Sequence, residues 1–476
     1  MITARAFAGK HYAVYGLARS GLATVEALLA SGAKVTAWDA NEDARANLSP
    51  LQGGGQGEAL TGGPAQAPSL PQSATLTAPP AGERLEIADL DTIDLAQFDS
   101  IVVTPGLPLN RHPIASRARD AGVEIIGDIE LFARARPELP PHKVVGITGT
   151  NGKSTTTALV HHILQIAGVP TTMGGNIGLP ILAQDPLPEG GVYVLELSSY
   201  QIDLTQSLDC DVAVLLNITP DHLDRYDSFD SYAASKARLF TQMQTLLHPA
   251  VLIADGGAVS KIVRALNGYS EALFEVTSAQ LSELQDQIGK QTDWPALPGP
   301  HNAQNAVAAV TAARALRSGL LGTPLVEWKA IREALRTYPG LPHRMDLVRE
   351  REGVIFVNDS KATNPTATAP ALAAFPAIRW ILGGQAKTDN LDECAPHFAH
   401  VRSAYTIGEA AELFETLLAP HMPVKNCGEL GAAVREAAAD AEAGDTVLLS
   451  PACASFDQFK DFEARGDAFR ELVGAL

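Results

Sequence analysis

Residues 143–155 read KVVGITGTNGKST, and this stretch decides how the rest of the chain is understood. A short apolar run ends in a loop with glycines at 146, 149 and 152. TTALVHHILQI (156–166) then continues with apolar residues at helical spacing to about Ala167. Strand, glycine-rich loop, helix is a geometry that closes backbone N–H groups on phosphate oxygens and adds the positive end of the helix. Lys153 is placed to neutralise β/γ charge and Ser154 to ligate Mg2+. A strict phosphate loop has Gly at 147. Ile147 stands there, so the loop is a variant. A merely structural turn would not need Lys-Ser-Thr at the start of the helix.

The same rhythm occurs on either side. The first block runs from HYAVY (11–15) through Gly16–Gly21 and a helix to Ala30, returns as KVTAW ending at Asp39, and adds SIVV (100–103) leading into Thr104-Pro105-Gly106. The central block adds strands at 192–195 and 212–216. The third, after Gly340, has strands near 354–357, 379–382, 403–407 and 446–449, with helices such as AAVREAAADAEAG (432–444) between them. Short strands alternating with helices predict parallel sheets. We therefore expect a three-domain α/β chain: a Rossmann-like domain over 1–132, a P-loop-type ATPase domain over 133–340 and a Rossmann-like domain over 341–476. The 476 residues agree with about three domains at ~150 each. Residues 49–85 hold 13 Gly and Pro among 37 residues and only three charges, which predicts a flexible insertion.

With 36 basic and 54 acidic residues the chain carries −18, which argues against a general grip on nucleic acid or anionic membrane. No apolar run reaches the ~18 residues of a membrane span, so no stable membrane insertion is expected. The N-terminus lacks the basic and apolar regions of a secretory leader, so the mature chain is expected to begin near Met1. Cys210, Cys394, Cys427 and Cys453 are widely spaced without C-x-x-C, which fits a reduced, cytoplasmic setting. Cys453 has no assignable His partner and is read as a packed residue.

Glu196 stands at the tip of VYVLE beside Ser198 and Ser199, where open α/β sheets place ligands, and is a candidate Mg2+ ligand. Asp221-His222-Leu223-Asp224 follows another strand. It is either a capping turn or a second set of ligands, and mixed carboxylate and imidazole donors favour magnesium or manganese over zinc. Gly16-Leu17-Ala18-Arg19-Ser20-Gly21, with Asp39 eighteen residues on, looks like a degraded dinucleotide fingerprint. Ala18 replaces the middle glycine, and the phosphate loop downstream weakens an NAD reading.

Nine motifs together carry a resemblance: GITGTNGKST (146–155), GGNIG (174–178), ELSSYQ (196–201), NITPDHLDRY (217–226), SKARLF (235–240), GPHNAQNAVAA (299–309), GLPHRMD (340–346), NDSKATNP (358–365) and SPACASFDQF (450–459). The chain resembles the ATP-dependent muramyl ligases over almost its whole length, and the last two motifs look like the members that add D-glutamate. The resemblance implies that ATP phosphorylates the alanine carboxylate of UDP-N-acetylmuramoyl-L-alanine, after which the D-glutamate amine displaces phosphate, in peptidoglycan precursor synthesis. It implies roles for Gly149, Thr150, Asn151, Gly152, Lys153, Ser154 and Thr155 at the ATP phosphates and Mg2+. Glu196 and His222 would hold metal, with Asn176 in support, and Lys236 would join them if carbamylated. Asn302 and Asn305 would face adenine, and Arg344 and Asp359 would close on the nucleotide. Arg19, Ser20, Asp39, Pro105, Gly106 and Asn176 would line the site of the UDP-sugar. Thr363, Lys387, Ser455 and Phe462 would receive D-glutamate. A monomer is expected. The rival expectations are another muramyl ligase, a folylpolyglutamate synthase-like ligase, or a nucleotide-binding module without catalysis.

Overall fold

The computed structural model describes residues 1–48, 84–222, 224–241, 248–253, 259–262, 273–318 and 322–476. Residues 49–83 of the expected insertion lie outside the described residues. Three apolar pentapeptide-scale runs in the first block become strands because each can be covered on both faces, as parallel sheets require. Strands β1 (His11–Tyr15), β2 (Lys34–Trp38), β3 (Leu85–Ile87), β4 (Ser100–Val103) and β5 (Ile125–Ile126) form one sheet in the order β3-β2-β1-β4-β5. Every pairing in it is parallel. The chain leaves β1 toward β2 and returns on the other side at β4. The tips of β1 and β4 therefore flank a switch point, the usual ligand position in such sheets.

A second sheet is built on β6 (His142–Thr148), β7 (Thr171–Gly175), β8 (Gly191–Glu196) and β9 (Val212–Leu215), parallel in the order β7-β8-β6-β9. Its register sets Ile147 opposite Glu196 and Thr148 opposite Leu215, so the phosphate loop and Glu196 leave neighbouring strand ends. Strands β10 (Ala250–Ile253) and β11 (Leu273–Val276) follow in the chain.

The third sheet contains β12 (Asp346–Arg351), β13 (Val354–Asn358), β14 (Ile378–Gly383), β15 (Val401–Ile407), β16 (Val424–Gly428) and β17 (Thr446–Leu449) in the order β12-β13-β17-β14-β15-β16. Only β12 runs antiparallel to its neighbour. Alternate residues serve opposite faces, as a two-residue strand period dictates. Trp380, Leu382 and Leu448 pack with Phe414 and Leu418 on one side. Ile381, Val447 and Leu449 pack with Phe356, Tyr405 and Phe469 on the other.

The chain folds into two compact units. One is made chiefly of Met1–Gly149 and Val169–Ala250, the other chiefly of Thr150–Gly168 and Leu273–Leu476. Among the described residues no helix is long and apolar enough to cross a membrane. Cys210, Cys394 and Cys453 are free and buried, and burial pushes each thiol up to about 12, which suits packing rather than nucleophilic attack.

Candidate active site

In the first unit, Glu196 ends β8 as a buried carboxylate. Its Oε1 accepts from Asn176 Nδ2 at 2.9 Å, while Oε2 is buried without a hydrogen-bond partner. An orphaned buried carboxylate oxygen is costly unless something cationic joins it, and it fits a hard divalent ion. The strand tip is locked by a capping box. Ser198 Oγ accepts from Gln201 N at 3.2 Å and Gln201 Oε1 accepts from Ser198 N at 3.1 Å. Ser198 thus fixes the direction in which the chain leaves the strand. Lys236 lies on the Phe229–Thr241 helix, is 2% exposed, donates to Gly149 O at 2.9 Å and sits 4.7 Å from the Tyr232 ring centroid. His222 adopts a left-handed backbone (φ 55°) and its ring lies 5.0 Å from Tyr200. Its backbone N–H donates to Asp221 Oδ1 at 2.9 Å. Among the described residues no three His, Cys, Asp or Glu side chains cluster for metal binding.

The UDP-side residues are also in this unit. Asp39 accepts from Leu17 N at 2.7 Å and from Asn41 N at 2.9 Å, so its carboxylate clamps the loop that follows β1. Arg19 opens the Arg19–Ala30 helix and donates to Gly178 O at 3.3 Å, joining that loop to the GGNIG segment. Ser20 lies in the same first turn, where its carbonyl accepts from Thr24 Oγ1. Pro105 and Gly106 offer their carbonyls to Arg225, which also reaches Leu107 O at 2.7 Å and stacks over Tyr200 at 4.3 Å. Arg225 stands in the quoted DHLDRY motif, but a sequence pattern shows only its charge and not the three carbonyls it gathers.

In the second unit, Gly152 precedes the Lys153–Ile166 helix with φ +83°, and a Cβ there would meet Asn305 Oδ1 at 2.3 Å. Both features favour glycine over any residue with a Cβ. Lys153 Nζ donates to Thr150 O at 2.7 Å. Arg344 Nη2 donates to the buried Ser154 hydroxyl at 2.8 Å, so a guanidinium from the HRM motif meets the start of the phosphate-loop helix. Asn305 donates to Asn302 Oδ1 at 3.2 Å, and Asn302 to Pro298 O at 2.9 Å.

Gly152, Asn302, Asn305 and Arg344 line a cavity of about 100 Å³ together with Asn151, Thr155, Asp359 and Lys361. His301 and Tyr338 line it too, and His301 Nδ1 and the Tyr338 hydroxyl are both buried without a hydrogen-bond partner. Burial pulls the His301 imidazole down to about 4, leaving it neutral, and pushes the Asp359 carboxyl up to about 7. Asp359 Oδ2 accepts from Ser450 Oγ at 2.8 Å and Oδ1 from Met345 N at 3.2 Å. A small cavity with His301, Tyr338 and two asparagines in its lining suits a heterocyclic base, and the glycine loop and Lys153 suit its phosphates.

Of the four residues expected at D-glutamate, Lys387 Nζ reaches Thr363 Oγ1 at 3.5 Å, Ser455 is buried, and Phe462 begins the Phe462–Gly474 helix with Lys361 Nζ 3.6 Å from its ring centroid.

Residues 147–313 match the Mur ligase middle domain, and residues 343–453 match the Mur ligase glutamate ligase domain. The UDP-N-acetylmuramoylalanine–D-glutamate ligase of Novosphingobium aromaticivorans is 57% identical over 476 residues, covering 100% of this chain and 97% of the relative. This chain belongs to the UDP-N-acetylmuramoylalanine–D-glutamate ligase family. A second member, from Sphingopyxis alaskensis, is 54% identical with 100% of both chains covered. Among solved structures, the UDP-N-acetylmuramate–alanine ligase of Thermotoga maritima superposes with a TM-score of 0.55 at 16% identity, covering 98% of this chain and 99% of that one. That likeness shows the shared three-domain fold.

Proposed function

We propose that the chain joins D-glutamate to UDP-N-acetylmuramoyl-L-alanine at the expense of ATP, as a cytoplasmic monomer. The observation that carries this reading is its likeness, from end to end, to ligases named for that reaction. Residues 1–132 hold the UDP-sugar, 133–340 the ATP and 341–476 the amino acid. A carboxylate oxygen of the alanine attacks the γ-phosphorus and ADP leaves. The D-glutamate amine then attacks the acyl carbon, phosphate departs with that oxygen, and the amine loses a proton. Phosphoryl transfer of this kind depends on positioning and charge neutralisation.

Lys153 neutralises phosphate charge, and Gly149, Thr150, Asn151, Gly152 and Thr155 shape the loop around it. Ser154, Glu196, His222 and, once carbamylated, Lys236 are the residues that would hold Mg2+, which supplies charge neutralisation when bound. Asn176 orients Glu196 by donating to its Oε1. Asn302 and Asn305 meet adenine, with Arg344 and Asp359 beside the nucleotide. Arg19, Ser20, Asp39, Pro105 and Gly106 border the UDP moiety. Thr363 and Lys387 meet one carboxylate of D-glutamate, and Ser455 and Phe462 the other.

Phosphate release tests this with UDP-N-acetylmuramoyl-L-alanine, ATP and a panel of amino acids. D-Glutamate alone should support release. Equal release with L-lysine, meso-diaminopimelate or L-glutamate would replace the reading.

A further inference from the structure

Arg465 lies one turn inside the Phe462–Gly474 helix and is 1% exposed. A guanidinium so deeply buried usually answers a carboxylate. This one instead directs all its hydrogen bonds to neutral oxygens. Nε donates to Ser360 Oγ at 3.0 Å, and Nη2 to Ser360 O at 2.9 Å and Cys453 O at 3.0 Å. Nη1 donates to Ala454 O at 3.3 Å and Gly383 O at 3.4 Å. Burial draws the group down to about 10, so it stays charged at neutral pH.

Those acceptors belong to the segments leaving three adjacent strand ends, β13, β17 and β14. Each segment carries one of the side chains assigned above to D-glutamate. Thr363 follows Ser360, Ser455 follows Ala454, and Lys387 follows Gly383 by way of Gln385, which pairs with Ala454. The fourth, Phe462, starts the helix that bears Arg465, and its carbonyl accepts from Ser360 Oγ at 2.9 Å. One rigid fork therefore spans every segment of the site.

We propose that Arg465 is the positioning residue of the amino-acid site: it fixes the spacing of the Thr363, Lys387, Ser455 and Phe462 segments so that both carboxylates of the incoming amino acid are met at once. This rests on the D-glutamate reading above. A lysine keeps the charge but offers a single ammonium in place of the planar fork.

The test is steady-state kinetics on the full-length enzyme, with each substrate varied in turn. Wild-type amide formation with D-glutamate is the control, and its failure would remove the parent reading rather than this one. Arg465→Lys should raise the D-glutamate KM roughly ten- to a hundredfold, since displaced donors and unpaired carbonyls act together. The KM values for ATP and UDP-N-acetylmuramoyl-L-alanine should stay within about threefold. Ser360→Ala deletes only the hydroxyl linking Arg465 to the Phe462 carbonyl, and should raise the D-glutamate KM roughly two- to tenfold. If Arg465→Lys does not fold, Ser360→Ala decides. An unchanged D-glutamate KM, or three KM values rising together, would overturn the proposal.

Discussion

Replacing Gly152 by alanine puts two measurable strains on the phosphate loop. The residue holds φ at +83°, a region that costs an L-residue about 1–2 kcal/mol. The new Cβ would also lie 2.3 Å from Asn305 Oδ1, so the amide must swing away and forfeit its 3.2 Å hydrogen bond to Asn302, worth about 0.5–1.5 kcal/mol. The loop can escape both strains by leaving the conformation that faces phosphate. The apparent affinity for ATP then falls by the fraction of loop still competent. A total of about 1.5–3.5 kcal/mol corresponds to roughly tenfold to three-hundredfold weaker binding. Calorimetric titration with a non-hydrolysable ATP analogue and Mg2+ measures this directly. In an Asn305→Ala background the steric part disappears, so the same glycine substitution should cost only about five- to thirtyfold. A Kd within twofold of the parent in both backgrounds would refute the reasoning.

Three further outcomes follow from named contacts. Lys387→Ala removes the cation beside Thr363 and should raise the D-glutamate KM roughly tenfold or more while sparing ATP; a weakened ATP KM with D-glutamate unaffected would reassign that pocket. Depletion of carbon dioxide and bicarbonate should lower activity, and Lys236→Arg should be inactive, because a buried lysine amine must capture CO2 to become an anionic ligand; an unmodified Lys236 in a high-resolution crystal structure of fully active enzyme would end that idea. Burial raises the Asp128 carboxyl from 3.8 to about 6, so between these values the native state holds a proton that the unfolded chain releases, and stability falls as pH rises through that window. The thermal-midpoint advantage of Asp128→Asn over wild type should therefore grow from pH 4 to 6 and then level off; parallel profiles would contradict it.

The parallel strands were legible because burial on both faces makes them continuous apolar runs: β13 was expected at 354–357 and spans Val354–Asn358, and β17 was expected at 446–449 and spans Thr446–Leu449. Edge strands escaped for the converse reason. β12 is DLVRER and β16 is VKNCG, half-exposed segments that present no apolar run. At the candidate site, the motifs mark charged and polar residues as candidates, whereas the groups that hold them in place carry no such mark. Asp39 reads as a candidate ligand contact in sequence, but the backbone N–H groups of Leu17 and Asn41 that hold its carboxylate are not legible there. Arg225 and Arg465 act on carbonyls, which every residue possesses, so no pattern of side chains announces their partners. His301 stands within a quoted motif, but its unpartnered Nδ1 emerges only from the packing around it.

The most direct test follows the oxygen that the proposed chemistry transfers. UDP-N-acetylmuramoyl-L-alanine labelled with 18O in the alanine carboxylate is incubated with ATP, Mg2+ and D-glutamate, and phosphate and product are examined by mass spectrometry. Activation through an acyl phosphate requires one 18O in each phosphate released, with a D-glutamate residue joined through an amide to the alanine. Unlabelled phosphate, or labelled phosphate formed without incorporation of D-glutamate, would contradict the account.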